Sequence, residues 1–313
     1  MTLLVIFPRD PKAAILATPA IEALRAGLGP VRLVGVFSAR AAELFRFDDR
    51  FHALAVRPDV SALFGWAEIG RFVAQLQSEH GPFEWVINLD PAPASTWLTW
   101  RLRANRRATL KKGALPPFGW QQKLACMSGV HHCKPPLDLV EAIVQHPFED
   151  RPKIASARKP DGKLIGLCPG AGAKLPAWGV QYWAECALNL SDHAPLALFV
   201  DQGGQAALER IESVLLYNEV NHFECYGSER SLQALLVAIG RLRLFVGEDG
   251  LLAQMAMAVG VPTVIIDDRD QLLSGPFCNA DAVQVPRASD RVCEAALSLL
   301  AKGALDPVAE KMA

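Results

Sequence analysis

Leu244-Phe245-Val246-Gly247-Glu248-Asp249-Gly250, followed by Leu251 to Val259 and then Gly260-Val261-Pro262-Thr263-Val264, reads as a strand, a turn, a helix and a second strand. Leu244-Phe245-Val246 is an unbroken apolar run, as expected of a strand covered on both faces. The helical stretch ends at Gly260, a natural C-cap, and Pro262 bars its continuation. Thr263 opens the next apolar run. Strand, helix and strand in such quick succession form a crossover unit of a parallel sheet. The Glu248-Asp249-Gly250 turn therefore lies at the carboxyl end of a strand, where open parallel sheets hold their ligands.

The same alternation extends outward in both directions. In the first half, strands are expected at 2–7, 31–36, 51–56 and 85–89, with helices at 13–27, 39–45, 60–77 and 94–103. Pro19 sits early enough in the first helix to be tolerated there. In the second half, strands are expected at 164–168, 196–200, 244–246, 263–266 and 282–285. Helices are expected at 180–190, 205–217, 231–239 and 251–259, and a last one at 290–300 has Ser289 or Asp290 as N-cap. Between the halves, 148–163 is charged and carries Pro152, Pro160 and a turn at Asp161-Gly162, the best linker in the chain. The expected domains are 1–150 and 151–313, which suits 313 residues at roughly 150 per domain.

Composition excludes several classes. A net charge of −1 provides no global basic field, so nucleic acid is not expected as a partner. With 51% hydrophobic and 21% charged residues the chain is globular and not disordered. No stretch reaches the ~18 apolar residues that cross a bilayer. Met1 to Phe7 lacks the basic flank of a signal peptide and reads as a first strand. A cytoplasmic protein is expected. The seven cysteines form no Cys-x-x-Cys pair and read as reduced thiols. His131-His132-Cys133 has no second ligand pair nearby, so no metal is expected.

Two loops of the second half carry candidate chemistry. Pro169-Gly170-Ala171-Gly172-Ala173-Lys174 follows a strand. Its glycines allow close backbone approach to a phosphate, and Lys174 adds a charge. It lacks the spacing of a P-loop and also reads as a plain turn. The Glu248-Asp249-Gly250 turn has two readings as well. Its carboxylates accept hydrogen bonds from ligand hydroxyls, or they simply cap the N–H groups of the helix behind them.

Taken in order, these segments resemble the heptosyltransferase family (glycosyltransferase family 9). The resemblance is carried by 231–236, by Leu244 to Gly250 and by Ala256 to Val264. Ala17-Thr18-Pro19-Ala20-Ile21, Glu84-Trp85-Val86-Ile87-Asn88-Leu89, and Pro169-Gly170-Ala171-Gly172 with Trp178 add to it. The resemblance implies an α/β, GT-B-like fold, two Rossmann-like doubly wound domains facing a cleft, with the final helix crossing back to the first. It implies inverting, metal-independent transfer from a nucleotide sugar such as ADP-heptose to a lipopolysaccharide-type, anionic glycolipid acceptor, with no other cofactor. Gly170, Gly172, Lys174, Glu248, Asp249, Gly250 and Gln254 would bind the donor. Peripheral contact with the inner face of the inner membrane would follow from such an acceptor.

Where the family has a Gly-Asp pair that supplies the base, this chain has Lys12 and Ala13, leaving Asp10 in the same loop as the candidate. Gly250, Leu251 and Gln254 replace a hydroxyl residue, a glycine and a histidine of the second motif, and Gln254 carries no charge. Pro176 stands where a lysine is usual. Asp267-Asp268-Arg269-Asp270 replaces a Gly-Pro turn and would repel a diphosphate unless Arg269 offsets it. Three readings follow: a transferase, a catalytically inactive GT-B relative that binds or assembles, and another GT-B enzyme such as an epimerase or hydrolase.

The basic run Arg101, Arg103, Arg106, Arg107, Lys111 and Lys112 is a candidate acceptor patch, its first four members above all. Its plain reading is a solvated helix face and connecting loop. Trp97, Trp100, Phe118 and Trp120 lie nearby, with Trp97 expected in the core.

Overall fold

A computed structural model describes residues 1–59, 66–111, 120, 122–125, 130–149, 151–155, 162–169, 178–200, 204–227, 230–268, 274–277, 279 and 281–305. The chain divides into two compact units, Met1–Ala155 and Ser156–Ala313.

The first unit runs β1 (Thr2–Ile6), α1 (Pro11–Leu16), α2 (Pro19–Leu28), β2 (Arg32–Phe37), α3 (Ala39–Phe45), β3 (Ala53–Val56), α4 (Trp66–His80), β4 (Phe83–Asn88), α5 (Pro93–Arg101), β5 (Ala104–Lys111), β6 (Gln122–Ala125) and α6 (Lys134–Val144). The second runs β7 (Leu164–Cys168), α7 (Val180–Ser191), β8 (Leu196–Phe199), α8 (Gln205–Tyr217), β9 (Phe223–Tyr226), α9 (Leu232–Ile239), β10 (Leu242–Glu248), α10 (Leu251–Val259), β11 (Thr263–Ile266), β12 (Ala282–Val285) and α11 (Ser289–Leu305).

Each unit holds one six-stranded sheet, β3-β2-β1-β4-β5-β6 and β12-β11-β10-β7-β8-β9, with every pairing parallel. Counted within its own unit, each sheet has the strand order 3-2-1-4-5-6 of a dinucleotide-binding fold. The order reverses between β1 and β4 in one unit and between β7 and β10 in the other. Four loops that leave those strands thus flank two switch points.

The central strands are buried along their length, which is why they read as continuous apolar runs. In the first unit Leu4, Ile6, Val34, Val36 and Val86 pack on Val73 and Leu76 of α4 and Leu98 of α5. Phe7, Phe37, Phe45 and Phe51 form a separate aromatic stack, with Phe7 and Phe37 at 4.4 Å. In the second unit Ile165, Leu167, Leu198, Leu244 and Val246 pack on Trp183, Ile211 and Val292. Helix α11 packs on α7, β10, β11 and β12 of its own unit.

Several expectations are corrected. Pro19 does not ride inside one long helix. The chain breaks at Ala17-Thr18, and Pro19 starts α2 in the first-turn position where its missing N–H costs nothing. The Thr18 hydroxyl is bonded to the Ile15 carbonyl across the break. The basic stretch from Ala104 onward is a strand, β5, paired with β4 and β6, and not a helix face and loop. Part of the expected linker belongs to the first unit. Ile154 is buried, Lys153 N–H donates to Thr18 Oγ1 at 2.9 Å, and the Lys153 carbonyl accepts from Arg50 at 2.7 Å.

Candidate functional site

The second unit's switch point is bordered by the ends of β7 and β10, where Gly247 lies level with Cys168. These two positions are tightly packed: a Cβ on Gly247 would come within 2.6 Å of the Phe245 ring. Gly170, Gly172 and Lys174 lie outside the described residues. Beyond them Trp178 is buried edge-on against Trp183, with centroids 5.0 Å apart.

After β10 the Glu248-Asp249-Gly250 turn delivers the chain into α10. Gly250 is the N-cap, in extended backbone conformation, so the cap residue itself has no side chain to offer the helix. The Ser274 hydroxyl donates to Asp249 Oδ2 at 2.7 Å. Gln254, only 1% exposed, sits one turn into α10. Its Nε2 donates to the Ser274 carbonyl and lies 3.5 Å from Asp249 Oδ1. Three residues from the turn, the helix and a later segment therefore fix one carboxylate at the strand end. The first N–H groups of α10 and the partial positive charge of its N-terminus lie beside it. At the neighbouring strand ends, Asp268 is bridged by Arg287 at 3.2 Å, so Arg287 offsets the acidic turn after β11. Arg269 lies outside the described residues.

In the first unit Asp10 follows β1. Its carboxylate accepts from the Ala13 N–H at 2.9 Å and so caps α1, and the residue is exposed. Across the switch point, β4 ends in Asn88, fully buried, whose amide donates to the Asp90 carbonyl at 2.8 Å and to Thr109 Oγ1 at 3.0 Å. Asp90 accepts from the Ala92 N–H at 3.0 Å, from Ser95 Oγ at 2.5 Å and from Arg57 Nη1 at 3.1 Å. Burial pulls the Arg57 guanidinium below its ordinary range and Arg9 adds repulsion, while Asp90 acts in the opposite sense.

The candidate acceptor arginines are not brought together with Asp10. Arg101 ends α5, and Arg103, Arg106 and Arg107 surround the start of β5, all at the amino edge of the sheet. Asp10 and Asp90 lie at the carboxyl edge. Arg106 spreads over the Trp85 ring at 5.6 Å and approaches Glu84 at 3.6 Å, and Arg107 donates to the Leu102 carbonyl at 2.7 Å. Trp97 is not a core residue: it and Trp100 are each 43% exposed and meet edge-on at 5.5 Å. Phe118 lies outside the described residues.

Sequence reasoning missed Ser274, Arg287, Arg57, Asp90 and Ser95. The signal for Asp90 was its place directly after the Asn88-Leu89 strand end, across the switch point from Asp10. Ser274 carries no local signal.

No family model and no curated protein matches the sequence. Solved structures do match in fold. A glycosyl transferase family 9 protein from Veillonella parvula superposes with a TM-score of 0.82 at 17% identity, over 96% of this chain and 97% of that one. The ADP-heptose lps heptosyltransferase II of E. coli gives 0.78 at 17% identity, over 96% and 99%. E. coli heptosyltransferase WaaC, solved with ADP-2-deoxy-2-fluoro heptose, gives 0.72 at 14%, over 96% and 99%. The fold is GT-B-like, two α/β domains each built on a six-stranded parallel sheet, as the sequence resemblance implied.

Proposed function

We propose that the chain is a glycosyltransferase that moves a sugar from a nucleotide donor of the ADP-heptose kind to the hydroxyl of an anionic, lipopolysaccharide-type acceptor. The observation that carries this reading is the Asp249-Gln254-Ser274 constellation at the second switch point. It presents a fixed carboxylate for donor hydroxyls beside the N-terminus of α10, whose N-cap is Gly250. The backbone N–H groups there, together with Gly170, Gly172 and Lys174, would stabilise the departing diphosphate without a metal. Glu248 and Gly250 complete the donor contacts.

In the first unit Asp10 would take the proton from the acceptor hydroxyl. The oxygen then bonds to the anomeric carbon as the bond to the diphosphate breaks, with inversion. Asp10 Oδ2 is held by the Ala13 N–H, which leaves Oδ1 for the acceptor. Among the described residues no helix is long and apolar enough to cross a membrane. A glycolipid acceptor would be met at the membrane surface, on the cytoplasmic side.

Purified protein, ADP-heptose, a panel of other nucleotide sugars and a deacylated core acceptor provide the test. Nucleotide release coupled to product formation is expected, and Asp10→Asn should lower kcat by about 100-fold or more while the fold is kept, because Asn also caps helices. Turnover equal in Asp10→Asn and wild type would remove Asp10 from the mechanism, and no turnover with any donor would remove the reading.

One observation favours a second reading, a non-catalytic relative that binds and assembles. The candidate base already serves as a helix cap, and the chain has Lys12 and Ala13 where the resemblance expects the base. Nucleotide binding by calorimetry without turnover, in a protein that co-purifies with an active transferase, would select it.

A further inference from the structure

Helices α7 and α11 pack against each other in the second unit, and each brings one cysteine to the contact. Cys186 sits in the middle of α7 and is 1% exposed. Cys293 lies near the start of α11 and is half-buried. Both are free thiols. They are hydrogen-bonded to each other, with Cys186 as the donor. Asn189 follows Cys186 by three residues on α7, and so shares its face. Its Nδ2 approaches the same Cys293 sulfur at 3.9 Å. Two groups of α7 thus hold one sulfur of α11.

The pair is asymmetric. Cys186 belongs to the buried cluster of Trp183, Ala187 and Leu190, whereas Cys293 packs at the edge of that cluster beside the exposed Asn189. A small reagent reaches Cys293 first. Acidity divides the same way. The hydrogen bond from Cys186, helped by Asn189, brings the Cys293 thiol down to about 7, against burial and the carboxylates of Glu185 and Asp290. The bond to Cys293 and burial together push the Cys186 thiol well up. Thiolate is the reactive form of cysteine, and an accessible one poised beside a second thiol is the arrangement that responds to oxidants. Cys225 is the contrast. It is also half-buried, but burial pushes its thiol up to about 11, so little thiolate forms at neutral pH.

We infer that Cys293 and Cys186 form a reversible oxidation site, in which a hydroperoxide oxidises Cys293 and Cys186 resolves it to a disulfide that staples α11 to α7. In the first step the Cys293 thiolate attacks one peroxide oxygen. An S–O bond forms, the O–O bond breaks, and hydroxide leaves and takes up a proton as water. In the second step the Cys186 sulfur bonds to the Cys293 sulfur as the S–O bond breaks. The departing hydroxide takes the Cys186 proton and leaves as a second water. Two thiols lose two electrons in all, and one hydrogen peroxide is reduced to two waters. A thiol reductant such as glutathione reverses the bond by exchange and is itself oxidised to its disulfide. In a reducing compartment such a bond is transient, which agrees with the free thiols seen here. Neither cysteine takes part in the proposed sugar transfer, so the two readings fail separately.

The test oxidises the full chain with a small excess of hydrogen peroxide at pH 7, caps the remaining thiols with iodoacetamide and maps the peptides by mass spectrometry. A peptide linking 186 to 293 is expected, and dithiothreitol should remove it. In the urea-unfolded chain all seven cysteines compete, so that link should be about 10-fold scarcer or more. Cys186→Ser keeps a hydroxyl donor but cannot resolve, and dimedone should then label a sulfenic acid at Cys293. The bond closes a loop of roughly 100 residues, so the urea midpoint of the oxidised protein should rise by about 1–2 M. If Cys186→Ser fails to fold, the peptide map of the native chain decides. Absence of the 186–293 link overturns the inference, as does a link equally abundant in the unfolded chain. An unmoved urea midpoint in fully linked protein overturns the staple.

Discussion

Gln254→Leu tests whether the second unit's site is held as described. The substitution keeps side-chain volume close to native and removes one amide. That amide makes two contacts, a full hydrogen bond from Nε2 to the Ser274 carbonyl and a marginal one, at 3.5 Å, to Asp249 Oδ1. Loss of the first leaves a buried carbonyl without its donor, worth about 1–3 kcal/mol. The second adds little at that length. Leucine returns up to about 1 kcal/mol through its apolar surface at a position 1% exposed. The net cost is about 1–2 kcal/mol. With an m-value of about 2 kcal/mol/M in urea, the midpoint of the second unit should fall by about 0.5–1 M. Ser274 and Asp249 would also lose their link to α10, so affinity for ADP should fall by up to about 10-fold if held geometry matters by 1.4 kcal/mol. Urea unfolding followed by circular dichroism and ADP titration by calorimetry read the two effects. Gln254→Glu is the paired control. Its carboxylate would face the Ser274 carbonyl and Asp249, so protonation favours the folded state. Its stability should be best below about pH 4.3 and should decline as pH rises through the elevated folded pKa. A leucine variant with an unmoved midpoint and unmoved ADP affinity would show that Gln254 holds nothing in place.

Arg50→Met should destabilise the first unit by about 3–5 kcal/mol, because it strands Asp48, whose side chain is fully buried, and releases Glu22 and the Lys153 carbonyl; a loss below 1 kcal/mol in denaturant titration would contradict this. Cys293 should react with iodoacetamide with a midpoint near pH 7, since a hydrogen bond from the Cys186 thiol brings it down to about 7 against the opposing effect of burial. Cys186→Ala should move that midpoint upward, and an unchanged profile would dismiss the pairing. Gly27→Ala places a methyl 2.5 Å from Val144 Cβ where α2 meets α6, so it should cost about 1–3 kcal/mol. Val144→Ala in the same chain should recover part of that loss, whereas additive losses in a double-mutant cycle would argue against the contact.

The strands read most directly from the sequence are the buried apolar runs, although the edge strands β3 and β12 were expected as well. Leu164–Cys168, Thr263–Ile266 and the β10 run are buried on both faces, so apolar continuity alone marks them. The strands that escaped notice lie toward the edges. Strand β9 ends the second sheet and carries Glu224, paired with Arg241 at 2.8 Å, as edges with solvent beside them allow. Strand β6 ends the first sheet, and β5 beside it carries Arg106 and Arg107, whose guanidinium groups lie over the Trp85 ring and against the Leu102 carbonyl. Arginine can sit in a strand this way because its planar head stacks on an aromatic face or donates to a carbonyl, and a pattern of charges then hides the strand.

The sites follow a different rule. Asp249 was visible because the turn that carries it borders its own strand. Ser274 and the Arg57-Asp90-Ser95 group were not, because each partner arrives from a different element and only the strand order brings them together. Gln254 shows what that costs a sequence reading. Seen alone, it is a histidine position that has lost its charge. Within the fold it is a buried amide whose one nitrogen reaches both the Ser274 backbone and the Asp249 carboxylate. A neutral donor suits that place better than an imidazolium would, because a cation enclosed at 1% exposure would have to be compensated by Asp249 itself. With glutamine there, a neutral amide stands beside the Asp249 carboxylate.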